Sequence, residues 1–417
     1  MHPDQECTKG LAHPDGQVCS SAVSHGSQQR TTREALGEKA EAIRDACKWN
    51  DLAKLRSLAE STGGFLTDGL RRSAWPTLLG LSTDVMNDNG DAGSHHQEGA
   101  ATDWEQLEPH RDEDQVRLDV NRSFIYYPSD KSDAQLDKCK SELLVLIVEV
   151  LRLHPYLCYF QGFHDICQVF LLVLPPACRA RVVARLSILR IRDFMLPSLR
   201  PTTDQLHLLP DLLAKADGEL REHIATIEPF YALAGTLTMY AHNIEAYRDI
   251  ARLFDVFLAR EPVFTIYVFA QIVIGRRKEI LNIEEPDILQ VVLGKVPPDM
   301  DLDALITNAV RLFDQFPPES LPSWRRISKS SALKTARHVE TCAKQTLEDG
   351  HTFFEKQAKE VRWVETRGRI SMTIWRYRRP IKAIGVATAV AALAFYLRRN
   401  QSAFHTIIAL FSTLTKT

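Results

Sequence analysis

Three short runs in this chain place polar or charged side chains at spacings that could do chemistry. The run Val116-Arg117-Leu118-Asp119-Val120-Asn121-Arg122 places a carboxylate three residues before a guanidinium. On a helix end that spacing lets Asp119 hold the orientation of Arg122, although the same spacing also makes ordinary surface ion pairs worth well under ~1 kcal/mol. Arginine offers a planar, permanent, multidentate cation that lysine does not reproduce. In Tyr159-Phe160-Gln161-Gly162-Phe163-His164-Asp165-Ile166 a polar amide and a glycine interrupt two apolar runs. Gly162 permits a backbone that a side chain would obstruct and so presents Gln161 at a turn. Its amide can accept from water and donate to backbone. The plainer alternative is a structural helix junction. Arg71 and Trp75 form an RxxxW on one helical face, where the guanidinium can stack on or pack beside the indole, or simply serve helix packing.

Other chemistries are less well provided for. His164-Asp165 prompts comparison with metal-dependent HD phosphohydrolases, which need further His and Asp ligands converging from other helices. His154, His207, His223 and His242 are available, but none falls in a ligand motif. The phosphate-binding pattern GxxxxGK[ST] does not occur. The 8 cysteines (Cys7, Cys19, Cys47, Cys139, Cys158, Cys167, Cys178 and Cys342) form no CxxC pair, so reduced thiols are expected rather than a zinc site or disulfide framework. A formal net charge of -2 gives no reason to expect nucleic-acid binding.

The elements that must position these residues read as helices. Residues 1–33 are polar and are expected to be a disordered leader. Helical spacing begins at Thr32 and runs to about Ala59. Asp68 can cap a helix through LRRSAWPTLLGL, with Pro76 predicting a kink or an end near Trp75. Residues 84–112 read as a polar insertion loop, although helical spacing is possible from Gln106 to Phe124. Asp133–Leu153 starts amphipathic and becomes apolar all round, as a central buried helix would, and His154-Pro155 ends it. Helical patterns continue through Gly162–Leu174, Leu206–Leu213, Gly218–Asn243, Tyr247–Leu258 and Pro262–Leu281. Few runs alternate with period two and no glycine-punctuated βαβ unit appears, so the fold class is all-α.

Residues 301–380 read as a helical and basic linker that includes LDALITNAVRLFDQF. Ala383–Leu397 carries no charge and is flanked by Arg376, Arg378, Arg379 and Lys382 before it and by Arg398 and Arg399 after it. About fifteen residues is short of the ~20 that usually span a bilayer. With Ile381 added and the flanking cations snorkelling, 381–399 is expected to be a C-terminal transmembrane anchor in a thin membrane, the alternative being a buried or surface-lying helix. Residues 400–417 form a short tail, in which Ile407–Leu414 could be luminal or half of a hairpin.

In chain order, RxxxW, hydrophobic-xxDxxR and YxQG together resemble the TBC (Tre-2/Bub2/Cdc16) domain of Rab GTPase-activating proteins. The likeness runs from about Gly64 to Leu281 and is carried by GLRRSAWPTLLG, YFQGFHDICQVFLLVL, ARLFDVFLA and FAQIVI. Val116 stands where the second motif usually opens with Ile, and AGTLTMYAH (Ala234–His242) departs from relatives that tend to carry a tryptophan. The resemblance implies a multi-helix domain over 34–300 acting on a Rab-family small GTPase. The partner would bring GTP and magnesium, and this chain would need no cofactor and hydrolyse no nucleotide by itself. Arg122 would stabilise charge building on the phosphoryl oxygens, worth roughly 10³–10⁵ in rate for GTPases generally. Gln161 would position the attacking water and Asp119 would orient Arg122. Arg71, Trp75, Tyr159 and Gly162 would support the site. The implied setting is the endoplasmic reticulum or early Golgi membrane, with the domain facing the cytosol in ER-to-Golgi traffic. A catalytically silent, membrane-anchored Rab-binding protein is the alternative.

Overall fold

The computed structural model describes residues 21–81 and 103–399. The expected leader (up to residue 20), most of the polar insertion and the tail from residue 400 lie outside the described residues. Helix α1 (Ser21–Lys48) begins well before the expected domain start at residue 34. Ser, Gln and His are neutral rather than prohibitive in helices, so polarity alone did not exclude one there. Asn50 then takes a left-handed φ of 51°. Asp51 accepts from the Lys54 N–H at 2.9 Å, capping α2 (Leu52–Glu60).

Helix α3 (Asp68–Leu78) runs through Pro76 instead of stopping at Trp75. Pro76 has no N–H to give the Arg72 carbonyl, but the turn it sits in is the last, and the Leu79 N–H closes that end on the Trp75 and Pro76 carbonyls. The expected Gln106–Phe124 helix shortens to α4 (Glu113–Val120). Helix α5 (Asp133–Leu153) starts at a Ser132/Gln135 capping box and stops at His154. One side of α5 stays open, with Val145 48% exposed, so it is not buried all round as its composition suggested. Helix α6 (Phe163–Val173) follows Gly162, and α7 (Pro176–Arg185) places proline at its first position.

The expected continuous helix over Gly218–Asn243 is broken into short pieces by Pro229 and by left-handed Met239 and Tyr240. In order there follow α8 (Arg200–Leu206), α9 (Leu208–Ala216), α10 (Gly218–His223) and α11 (Leu233–Leu237). Next come α12 (Tyr247–Ala259), α13 (Phe264–Gly275), α14 (Arg277–Leu281) and α15 (Pro286–Gly294). The last are α16 (Leu302–Gln315), α17 (Ala332–Thr335), α18 (Val339–Lys344) and α19 (Leu347–Arg399). No strand occurs among the described residues, so the all-α reading holds.

An aromatic cluster joins three of these helices at the centre. Trp75 of α3 meets Phe170 of α6 edge-on at 5.4 Å, and Phe170 meets Phe254 of α12 at 5.7 Å. Helix α13 is apolar on nearly every face, and α16 covers it with Leu305, Ile306, Ala309, Leu312 and Phe313. Asp193 accepts from Ser331 Oγ and the Ala332 N–H, while Arg192 donates to the Ser330 carbonyl. The compact unit therefore reaches Phe354, and α16 to α18 belong to it rather than to a linker that starts at 301.

Residues 355–399 form a second unit. Within it Val386, Val390, Leu393, Phe395 and Tyr396 are exposed. Among the described residues no helix is long and apolar enough to cross a membrane, so the span expected at 381–399 finds no support in the fold. The physical reason is the one visible in its length: the uncharged run is short of a bilayer's hydrocarbon core and lies in a longer charged helix.

Candidate functional site

Asp119 occupies the last turn of α4, where Val116 and Val120 anchor the inner face of the helix. Its carboxylate is fully buried and collects three donors. Gln115 Nε2 donates at 3.0 Å, Arg122 Nη2 at 2.6 Å and the Tyr159 hydroxyl at 3.0 Å. A carboxylate taken from water needs such compensation, which makes Asp119 a fixed anchor. Arg122 grips it with one end of the guanidinium while 64% of the side chain remains exposed. The pair is thus half interior and half surface, unlike the freely solvated ion pair that its spacing also allowed.

Gly162 is required at its position twice over. It caps α6 with φ of 100°, and a Cβ there would lie 2.6 Å from Thr238 Cγ2. This turn leaves Gln161 exposed beside the helix start. Arg122, from the end of α4, and Gln161, from the start of α6, line one cleft of about 520 Å³. Its far wall comes from Leu233, Leu237, Thr238 and His242, in and around the segment whose sequence departs from the resembled pattern. Tyr159 ties the two sides together through its bond to Asp119, and its half-buried hydroxyl is pushed well above the usual phenol range by burial and the nearby carboxylate.

Arg71 and Trp75 do not line this cleft. Both bind the same buried carboxylate, Asp255 of α12. Arg71 donates through Nε at 2.9 Å and Nη2 at 3.0 Å, Trp75 through Nε1 at 2.8 Å, and the Phe65 N–H adds a fourth bond at 3.0 Å. Burial alone would lower the Arg71 pKa, but Asp255 and Asp68 outweigh it and raise it. The guanidinium and indole are therefore joined through a carboxylate rather than by direct stacking. Their link to the cleft is indirect, through the Trp75 ring against α6.

Several contributors are missing from the sequence reading. Asp255, the lone acid in ARLFDVFLA, is the hub of the RxxxW motif. Gln168, the lone amide in DICQVFLLV, accepts from the Phe124 N–H at 3.0 Å and donates to the Tyr127 carbonyl at 3.4 Å. It thereby fixes the loop after Arg122, in which Phe124 takes a left-handed φ of 62°. A single polar residue inside an apolar helical run was the available signal in both cases.

His164 and Asp165 also face the cleft. His164 Nδ1 lies 3.0 Å from the Tyr159 hydroxyl, and Nε2 lies 3.4 Å from Asp165. Burial lowers the His164 pKa despite the neighbouring carboxylates. His242 Nδ1 lies 3.0 Å from Asp165, and that hydrogen bond raises the His242 pKa. Among the described residues no group of three or more His, Cys, Asp or Glu side chains could hold a metal ion. His223 is committed to the Ile280 and Ile283 carbonyls. Among the described residues, the HD pair is not joined by the convergent ligands that a metal-dependent phosphohydrolase would need.

Comparison with known proteins bears on the family. A family model described as Rab-GTPase-TBC domain matches residues 68–281. TBC1 domain family member 20 of Bos taurus is 35% identical over 290 residues, 69% of this chain and 68% of that protein. The Homo sapiens protein of the same name is 31% identical over 82% of this chain and 84% of its own length. GTPase-activating protein gyp10 of Schizosaccharomyces pombe is 33% identical over 68% of this chain and 75% of its own. The matched span opens at Asp68, the first residue of α3, and closes at Leu281, the last of α14, so it holds both walls of the cleft. On these matches, the chain belongs to the Rab-GTPase-TBC domain family.

Proposed function

We propose that this chain accelerates GTP hydrolysis by a Rab-type small GTPase, lending Arg122 and Gln161 to the partner's active site. The observation that carries the reading is the shared cleft: two exposed side chains, one cationic and one amide, stand on it from turns at the ends of two different helices. Arg122 would offset charge accumulating on the partner's γ-phosphate, and Gln161 would hold the attacking water. The buried Asp119 keeps one face of the guanidinium engaged and leaves the rest available. GTP and magnesium belong to the partner.

The test is a GTP-hydrolysis panel across Rab proteins. Arg122→Lys keeps the charge but loses the fork, and it should remove roughly 10³-fold or more of the stimulated rate. Stimulation at the wild-type level in that variant would refute the assignment. Gln161→Ala should cost nearly as much. A Rab lacking its own catalytic glutamine should still respond to the wild-type chain, and a silent Rab-binding protein would stimulate none of them.

Attachment through 381–399 and residence at the endoplasmic reticulum or early Golgi, in ER-to-Golgi traffic, form part of the same proposal. Their support is the uncharged run Ala383–Leu397 between basic clusters, with exposed Val386, Val390, Leu393 and Phe395. Full-length protein should remain with membranes in alkaline carbonate, and release into the supernatant would exclude an integral anchor.

A further inference from the structure

The hydrogen bonds behind Arg122 do not stop at Asp119. Tyr159 Oη stands between Asp119 Oδ2 and His164 Nδ1, 3.0 Å from each. A phenol has one proton, so Tyr159 can donate to only one of them. If it donates to Asp119, His164 must supply the other bond as an Nδ1–H donor. If His164 instead carries its proton on Nε2, toward Asp165 Oδ1 at 3.4 Å, its bare Nδ1 competes with Asp119 for the tyrosine's proton. Asp119 would then lose one of three donors in a fully buried setting and would draw harder on Arg122.

We propose that His164 is a positioning residue for the arginine finger, acting through its Nδ1–H on Tyr159, which commits the tyrosine's proton to Asp119. The proposal rests on the role assigned above to Arg122. The Tyr159 phenol, Asp165 from the same helix, Asp119 from α4, Arg122 just beyond it and His242 from the far wall are the charged or titratable groups that face this imidazole. Burial favours the neutral ring, which has one proton to place, and that placement decides the direction of the tyrosine's bond. His164 touches neither substrate nor nucleotide in this scheme.

Two amide substitutions separate this role from packing. In His164→Asn the side-chain amide can stand near the Nδ1 position and donate to Tyr159. In His164→Gln the amide reaches toward Nε2 instead, while the side-chain volume stays closer to that of histidine. Positioning through Nδ1 therefore ranks Asn above Gln, whereas space-filling ranks Gln above Asn. His164→Leu removes both bonds.

The three variants, with thermal melts to compare stability, are assayed on a responsive Rab over a range of GTPase concentration. The expected result is kcat within roughly 3-fold of wild type for Asn, with Gln and Leu lower by on the order of 10-fold and KM unchanged in all. The inference is overturned if Gln equals or exceeds Asn, if all three keep the wild-type kcat, or if the loss appears in KM alone. Arg122→Lys in the same assay keeps the two claims apart. If that variant is inert while the His164 series fails, only the positioning role falls; if it is active, the finger assignment falls and takes this role with it.

Discussion

At the scale of single residues, the cleft depends on positions where one atom too many is decisive. Gly162→Ala would place a methyl group against Thr238 and force a left-handed backbone on an L residue. The expected cost is about 1–3 kcal/mol of stability, together with reduced stimulation of GTP hydrolysis, because Gln161 is carried on the same turn. Thr238→Ser removes the clashing methyl and should return part of that loss in a double variant, leaving the backbone strain; paired thermal melts check this.

The Asp165–His242 contact gives a pH signature at the same scale. Its hydrogen bond raises the His242 pKa, so the stabilisation is complete below the ordinary histidine range and fades as pH rises through the raised value. Asp165→Asn should bring the His242 titration down toward that of a free histidine, measured by NMR of its ring protons. An unchanged titration midpoint would show that the contact does not form in solution.

At the scale of elements, the RxxxW motif is a staple between α3 and α12, and its cost of removal should be structural. Asp255→Ala leaves buried Arg71 without its main counter-charge and strips the Trp75 indole of its acceptor. A loss of about 3–5 kcal/mol is expected, seen as a large fall in Tm. Arg122→Ala should cost less than that, since its own guanidinium is mostly solvated and Gln115 and Tyr159 still donate to the buried Asp119. The two variants would separate holding the fold from doing the chemistry, although both remove a member of an arginine–aspartate pair. Helix α6 ties the two together, because its first residues follow Gln161 and its middle carries Phe170 against Trp75.

At the scale of the whole molecule, the compact unit closes on elements that sequence patterns assign to a linker. Helix α16 covers α13, and residues 330–332, from a segment far along the chain, accept from Arg192 and donate to Asp193. A fragment spanning 21–354 should therefore melt in one cooperative transition. One that ends at residue 300 should lose cooperativity, because the apolar face of α13 would meet water. Circular dichroism against temperature distinguishes them. If the shorter fragment melts as sharply and as high, the stretch beyond 300 is dispensable to the fold.

What the sequence determined by itself was local. Helical periodicity, the Ser132 cap, the stop at His154 and the glycine before α6 all follow from interactions within a few residues, and so does the Asp119–Arg122 spacing. The resemblance of three motifs then named Arg122 and Gln161. Tertiary structure alone decided which distant groups those residues meet. Arg71 reaches Asp255 across 184 positions, and Tyr159 reaches Asp119 across 40. Which carboxylate a buried donor finds is set by how helices pack, and helix period carries no information about that. The same reason hid Asp255 and Gln168, each of which looks like an isolated polar residue in an apolar run until the fold supplies its partner, and it left His164 legible only as half of an HD pair.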